Sequence, residues 1–125
     1  GTILGTVGYM SPEQVRGKEA DAKSDVFSLG CLLHEMVSGQ RAFSRETSVE
    51  TLTAILHDEP PDLADSGKKI PIELQRIIQH CLEKNPASRF HSAHDLAFAL
   101  RAILSDSGGS SARLVGPPSP SLMKS

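Results

Sequence analysis

The stretch KSDVFSLGCLLHEMVSG, Lys23 to Gly39, constrains this chain more than any other. It reads as one helix. Val26, Phe27, Leu29, Cys31, Leu32, Leu33, Met36 and Val37 leave hardly any direction around its axis polar. A helix apolar on most sides is buried on most sides. A chain of 125 residues implies one domain, and helices in small domains normally hide a single face. Ser24 or Asp25 can cap the start of the Lys23 to Gly39 helix, and Gly39 suits a left-handed stop.

The rest of the sequence supplies such helices. Gly1 to Met10 is Gly-rich and irregular and reads as a loop. Ser11, Pro12 and Glu13 then open a short helix: an N-cap, a residue preset for the first helical position, and an acid at the positive end of the dipole. Gly17 closes it. Thr47 and Glu50 have capping-box spacing, and Val49, Leu52, Ile55 and Leu56 form a stripe behind them until Pro60-Pro61. Pro71 opens a helix with Leu74, Ile77, Ile78, Cys81 and Leu82 on one face, stopped by Asn85-Pro86. Ser92 caps a last helix, in which Ala93, Leu96, Ala97, Leu100, Ile103 and Leu104 keep i, i+3, i+4 spacing. No period-two strand is visible, so the expected class is mainly α. Residues 105–125 are rich in Ser, Gly and Pro, a composition that cannot bury enough apolar surface to order itself. They read as a disordered tail or linker after a folded part spanning 1–104.

Composition excludes several functions. Net charge is −2, with no long charge run. Nucleic-acid binding normally shows a basic face, and aromatics, useful for base stacking, make up only 4%. No run approaches the ~18 consecutive apolar residues of a membrane span. Cys31 and Cys81 do not make a disulfide framework; both lie in apolar helical patterns and read as small buried hydrophobes of a reducing compartment. His91 and His94 are three residues apart near a helix start, but no third ligand completes a zinc set nearby. His34, His57 and His80 read as ordinary helix residues, and no metal is expected.

Three segments, in order, carry a resemblance. Gly5-Thr6-Val7-Gly8-Tyr9-Met10-Ser11-Pro12-Glu13 resembles the end of the activation segment of serine/threonine protein kinases, which runs Gly-Thr-x-x-Tyr-x-Ala/Ser-Pro-Glu. Asp25-Val26-Phe27-Ser28-Leu29-Gly30 is similar to the family's Asp-Val-Trp-Ser-Leu-Gly helix, with Phe27 in the Trp place. Cys81-Leu82-Glu83-Lys84-Asn85-Pro86-Ala87-Ser88-Arg89 resembles its Cys-Leu-x-x-Asp/Asn-Pro-x-x-Arg segment. The wording around Ser11 is closest to the bacterial branch. The resemblance covers Gly1 to Leu104 and implies the helical part of the kinase C-lobe, an incomplete protein-kinase-like fold.

That resemblance assigns roles. Gly5, Thr6, Gly8 and Tyr9 would form the substrate platform, small where a substrate backbone passes close. Thr6 would orient the catalytic Asp and Lys, and a Thr there, where tyrosine kinases usually have Pro, favours Ser or Thr acceptors. Glu13 and Arg89 would form a largely buried ion pair. The alternative is two solvated charges worth under about 1 kcal/mol. Asp25 would anchor the catalytic loop through its carboxylate, the alternative being a plain N-cap. Gly30 belongs to the central-helix motif. Thr2 is a candidate activating phosphosite, where phosphate would add about −1.5 to −2 charges; an unmodified loop Thr is the alternative.

The motifs that perform the chemistry are not in this sequence. Phosphoryl transfer in this family needs a Gly-rich loop, a strand Lys, a helix Glu, a catalytic-loop Asp and Asn, and the Asp of Asp-Phe-Gly for magnesium. The family places all of them before the present Gly1. The expected protein is thus a fragment of an ATP-dependent kinase, cut inside the activation segment and inactive alone. ATP and Mg belong to the full-length kinase, not to this fragment. Its partners would be a protein substrate and the N-terminal part of its own domain, with no nucleic acid. The expected location is the cytoplasm, as a free protein or as the cytoplasmic part of a membrane-anchored kinase, although this chain has no membrane segment. The rival expectation is a non-catalytic, kinase-derived helical interaction module.

Overall fold

The structure is a computed structural model and describes residues 7–107. Among the described residues five complete α-helices follow in order: α1 Pro12–Val15, α2 Ala22–Ser38, α3 Ser48–His57, α4 Ile72–Cys81 and α5 Ala93–Ser107. Two single 3-10 turns, Leu63–Asp65 and Pro86–Ser88, sit in the connections. No strand occurs among the described residues. The mainly α expectation is met.

Helix α2 is the centre. It packs on α4 and α5, α4 and α5 pack on each other, and α1 lies against α3. Phe27 and Cys31 of α2 join Phe43, Ala54, Ile55, Leu63, Ile78 and Leu82 in one core. Val26 joins Cys81 and Leu96 in a second, smaller one. Gly30 makes the α2–α4 contact possible. A Cβ there would lie 2.5 Å from Cys81 Cβ, far inside contact distance. Phe27 and Phe43 stack, centroids 5.9 Å apart and planes 11° from parallel. Arg89 lies over Phe27 at 5.0 Å and Lys84 over Phe43 at 4.4 Å, so two cations rest on one aromatic pair.

Several local expectations need correcting. Neither Ser24 nor Asp25 caps α2; Asp21 does. Its carboxylate accepts from the N–H groups of Lys23 and Ser24, both at 3.0 Å, and Ser24 Oγ accepts from the Asp21 N–H at 3.2 Å. This reciprocal box satisfies more orphan N–H groups than a start at Ser24 or Asp25 would. Gly39 does end α2 in the left-handed region, φ 78°. Helix α2 leaves part of its apolar surface open: Leu32 is 45% and Met36 71% exposed. On α3, Val49 is exposed, and the buried line is Thr51, Ala54 and Ile55. Thr51 tolerates burial because its hydroxyl donates to Thr47 O and accepts from the Arg45 N–H, each at 3.0 Å. Helix α5 runs three residues past Leu104, to Ser107.

Candidate functional site

The segment before α1 and the loop after α4 are far apart in sequence and meet on α2. Helix α1 is only four residues long, and its start is set by Ser11, whose Oγ accepts from the Gln14 N–H at 3.3 Å while the Gln14 side chain accepts from the Ser11 N–H at 3.0 Å. This fixes Glu13 in the first turn, pointing inward. Arg89 follows the 3-10 turn opened by Asn85, whose Oδ1 accepts from the Ala87 N–H at 3.0 Å.

Arg89 and Glu13 form a two-pronged ion pair, NH1 to Oε2 at 2.7 Å and NH2 to Oε1 at 2.9 Å. Arg89 is 2% exposed. A guanidinium has five N–H donors, and the rest are also used. Nε donates to Glu83 O at 2.7 Å, NH1 to Lys23 O at 2.9 Å and NH2 to Lys84 O at 3.1 Å. Ser24 Oγ adds a hydrogen bond to Glu13 Oε2 at 2.8 Å. Burial alone would raise the Glu13 carboxyl pKa, but the hydrogen bonds from Arg89 and Ser24, with the Arg89 charge, outweigh it and hold the pKa down at about 2. One side chain thus joins α1, the start of α2 and the loop after α4.

The loop leading into α1 lies across the same helix. Ser28 Oγ donates to the Tyr9 carbonyl at 2.5 Å, and the Tyr9 hydroxyl donates to Glu35 Oε1. That hydrogen bond, then burial, push the phenol above its ordinary range. Gly8 is buried, and a Cβ on it would lie 2.8 Å from Phe43 O, so here a glycine is required by the protein's own backbone. Asp25 is exposed on the first turn of α2. With Tyr9, Ser28, Leu29, Leu32 and Ala93 it lines an open, largely apolar cavity of about 530 Å³. Thr2, Gly5 and Thr6 lie outside the described residues.

Some of these residues take parts that the sequence pattern does not assign to them. Ser24 braces Glu13, and its signal was its position three residues after Asp21, a capping-box spacing. Lys84 is half-buried, and its Nζ donates to Ile55 O at 2.6 Å at the end of α3; no local pattern marks that. His34 is buried, with Nε2 3.0 Å from Pro61 O and Nδ1 3.2 Å from Gln40 O, so it ties two loops to α2. Cys31 and Cys81 are free and buried, and burial pushes each thiol up to about 12, so neither is a nucleophile at neutral pH. No group of three or more His, Cys, Asp or Glu able to hold a metal occurs among the described residues.

The family model described as the protein kinase domain matches residues 1–98. The chain belongs to the protein kinase domain family. Its bacterial serine/threonine character shows in the relatives of this kinase segment. A serine/threonine-protein kinase PknA of Corynebacterium glutamicum is 37% identical over 82% of the chain. A serine/threonine-protein kinase PknB of Mycobacterium leprae is 34% identical over 75% of it. A tyrosine-protein kinase MasK of Myxococcus xanthus is 37% identical over 85%. The kinase segment spans only 21%, 15% and 16% of these three relatives.

Proposed function

We propose that this chain is the substrate-platform and lower-lobe portion of an ATP-dependent protein kinase that phosphorylates Ser or Thr of proteins. The observation that carries the reading is the fully used Arg89 guanidinium. It fastens the Tyr9–Glu13 segment to α2, as a loop that must offer a fixed surface to a peptide would require. Gly5, Thr6, Gly8 and Tyr9 make up the platform. Asp25, exposed beside Tyr9, is free to accept hydrogen bonds from a catalytic loop outside this chain. The acceptor class rests on Thr6, with Tyr the competing acceptor.

ATP and Mg are not matched by the residues described. They offer no cluster of metal ligands, and the sequence has no Gly-rich nucleotide loop. The chain alone is proposed to be inactive. No described helix is long and apolar enough to cross a membrane. A kinase drawing on cellular ATP would place this segment in the cytoplasm.

The test compares the 125-residue chain with the product of its complete reading frame, each given Mg-ATP and Ser-, Thr- or Tyr-containing peptides. Phosphate transfer to Ser or Thr by the complete protein, with none by the chain, is expected. Transfer by the chain alone overturns the inactivity. Transfer to Tyr alone overturns the acceptor class. No transfer by the complete protein leaves the interaction module as the reading.

A further inference from the structure

Tyr9 is held at three points, and the platform reading accounts for neither the serine at its backbone nor the arginine at its ring. Ser28 and Glu35 are seven residues apart, two turns along one face of α2. A serine inside a helix usually bonds a carbonyl one turn back in its own helix. Ser28 instead reaches out of the helix and donates to the Tyr9 carbonyl at 2.5 Å. Arg41, on the exposed segment after α2, lays its guanidinium 5.5 Å from the Tyr9 ring centroid, within cation–π range. On the preceding residue, the 2.8 Å approach to Phe43 O leaves no room for a side chain at Gly8. Gly8 also brings more backbone freedom to the loop than any other residue would. The loop must therefore be restrained from outside.

We propose that Ser28 and Arg41 are positioning residues that clamp Tyr9, Ser28 by its main chain and Arg41 by its ring, and so set the surface on which an acceptor peptide rests. This rests on the reading of Tyr9 as part of the substrate platform. Neither side chain touches the peptide. Each acts through Tyr9. The Glu35 carboxylate takes the phenol hydroxyl, so backbone, ring and hydroxyl are each fixed by a different residue.

The chain has one Tyr and no Trp. Its tyrosine near-ultraviolet circular dichroism and tyrosine absorbance titration therefore report Tyr9 alone. In the 125-residue chain, S28A is expected to lose most of the Tyr9 dichroism with helix content unchanged. R41Q does the same, while R41K, which keeps a cation over the ring, retains the band. The titration separates the two contacts. S28A frees the phenol from Glu35, and its midpoint falls. R41Q removes the cation that favours the phenolate, and its midpoint rises. In the intact kinase containing this segment, S28A raises KM for an acceptor peptide about three- to tenfold, the worth of one neutral hydrogen bond, R41Q raises it about two- to fivefold, the worth of one exposed cation–π contact, and both leave KM for ATP unchanged. A Tyr9 band and midpoint unchanged in S28A and R41Q overturn the clamp. A band that moves while the peptide KM does not overturns the platform role and leaves the clamp standing.

Discussion

Arg89 donates all five of its N–H groups from a position almost closed to water, so its value depends on its partner. Replacing Arg89 by Met leaves the buried Glu13 carboxylate with only Ser24 as a side-chain donor. Breaking one side of a buried pair costs about 3–5 kcal/mol. We expect R89M to lose stability of that order in urea unfolding and E13Q to lose less. The double variant should fall well short of the sum, because the second change removes a charge already stranded. Strict additivity would show that the two residues do not act together. The pH dependence follows from the same carboxylate. Its folded pKa of about 2 lies below the ordinary value of 4.5. The stability it contributes is therefore fully present above pH 4.5 and is lost as pH falls toward 2. E13Q should flatten that part of the urea-midpoint profile. The pairing itself was legible through the Ser-Pro-Glu and Asn-Pro-x-x-Arg wording. The three carbonyls that complete Arg89 were not, because a backbone acceptor has no residue code.

Helix α2 shows where patterning succeeds and where it stops. Its existence, its Gly39 stop and its central place follow from apolar residues spaced around one axis. Its start does not. Asp21, Ser24 and Asp25 are all good caps, and only the reciprocal bonding of Asp21 with Ser24 decides among them. Likewise the apolar stripe of α3 points to Val49, because a Thr is polar by composition. Thr51 is buried since both of its hydrogen-bond needs are met, by Thr47 O one turn back and by the Arg45 N–H ahead of the helix. Gly30 carries the sharpest consequence at this scale. Alanine is better in a helix than glycine by about 1 kcal/mol, yet the added methyl would lie 2.5 Å from Cys81 Cβ. Helices α2 and α4 would have to part, and overpacking of this kind costs about 1–3 kcal/mol. G30A is thus expected to be destabilised on balance, with its urea midpoint lowered. A raised midpoint would show that the α2–α4 contact is looser than its spacing.

At the scale of the whole molecule, the described residues leave the central helix open on one side. Helix α2 buries Val26, Phe27 and Cys31 but exposes Leu32 and Met36, four residues apart and therefore neighbours on one face. The open cavity lined by Leu29, Leu32, Tyr9 and Ala93 continues that face. The sequence asked for burial on most sides, and the described residues provide it on only some. The relatives are about five to seven times longer than the stretch they share with this chain. Apolar surface of this kind drives association when nothing covers it. The 125-residue chain is expected to self-associate at micromolar concentration and to bind a hydrophobic dye while still helical. L32Q combined with M36K should suppress both. Folding stability should stay within about 0.5 kcal/mol, since neither side chain contributes to either core. Sedimentation and dye fluorescence measure the first effect, and urea unfolding of dilute chain the second. A double variant that still associates would place the sticky surface elsewhere, with exposed Phe98 and Leu104 of α5 next to be tested. One that unfolds would show that Leu32 and Met36 hold α2 in place without a partner.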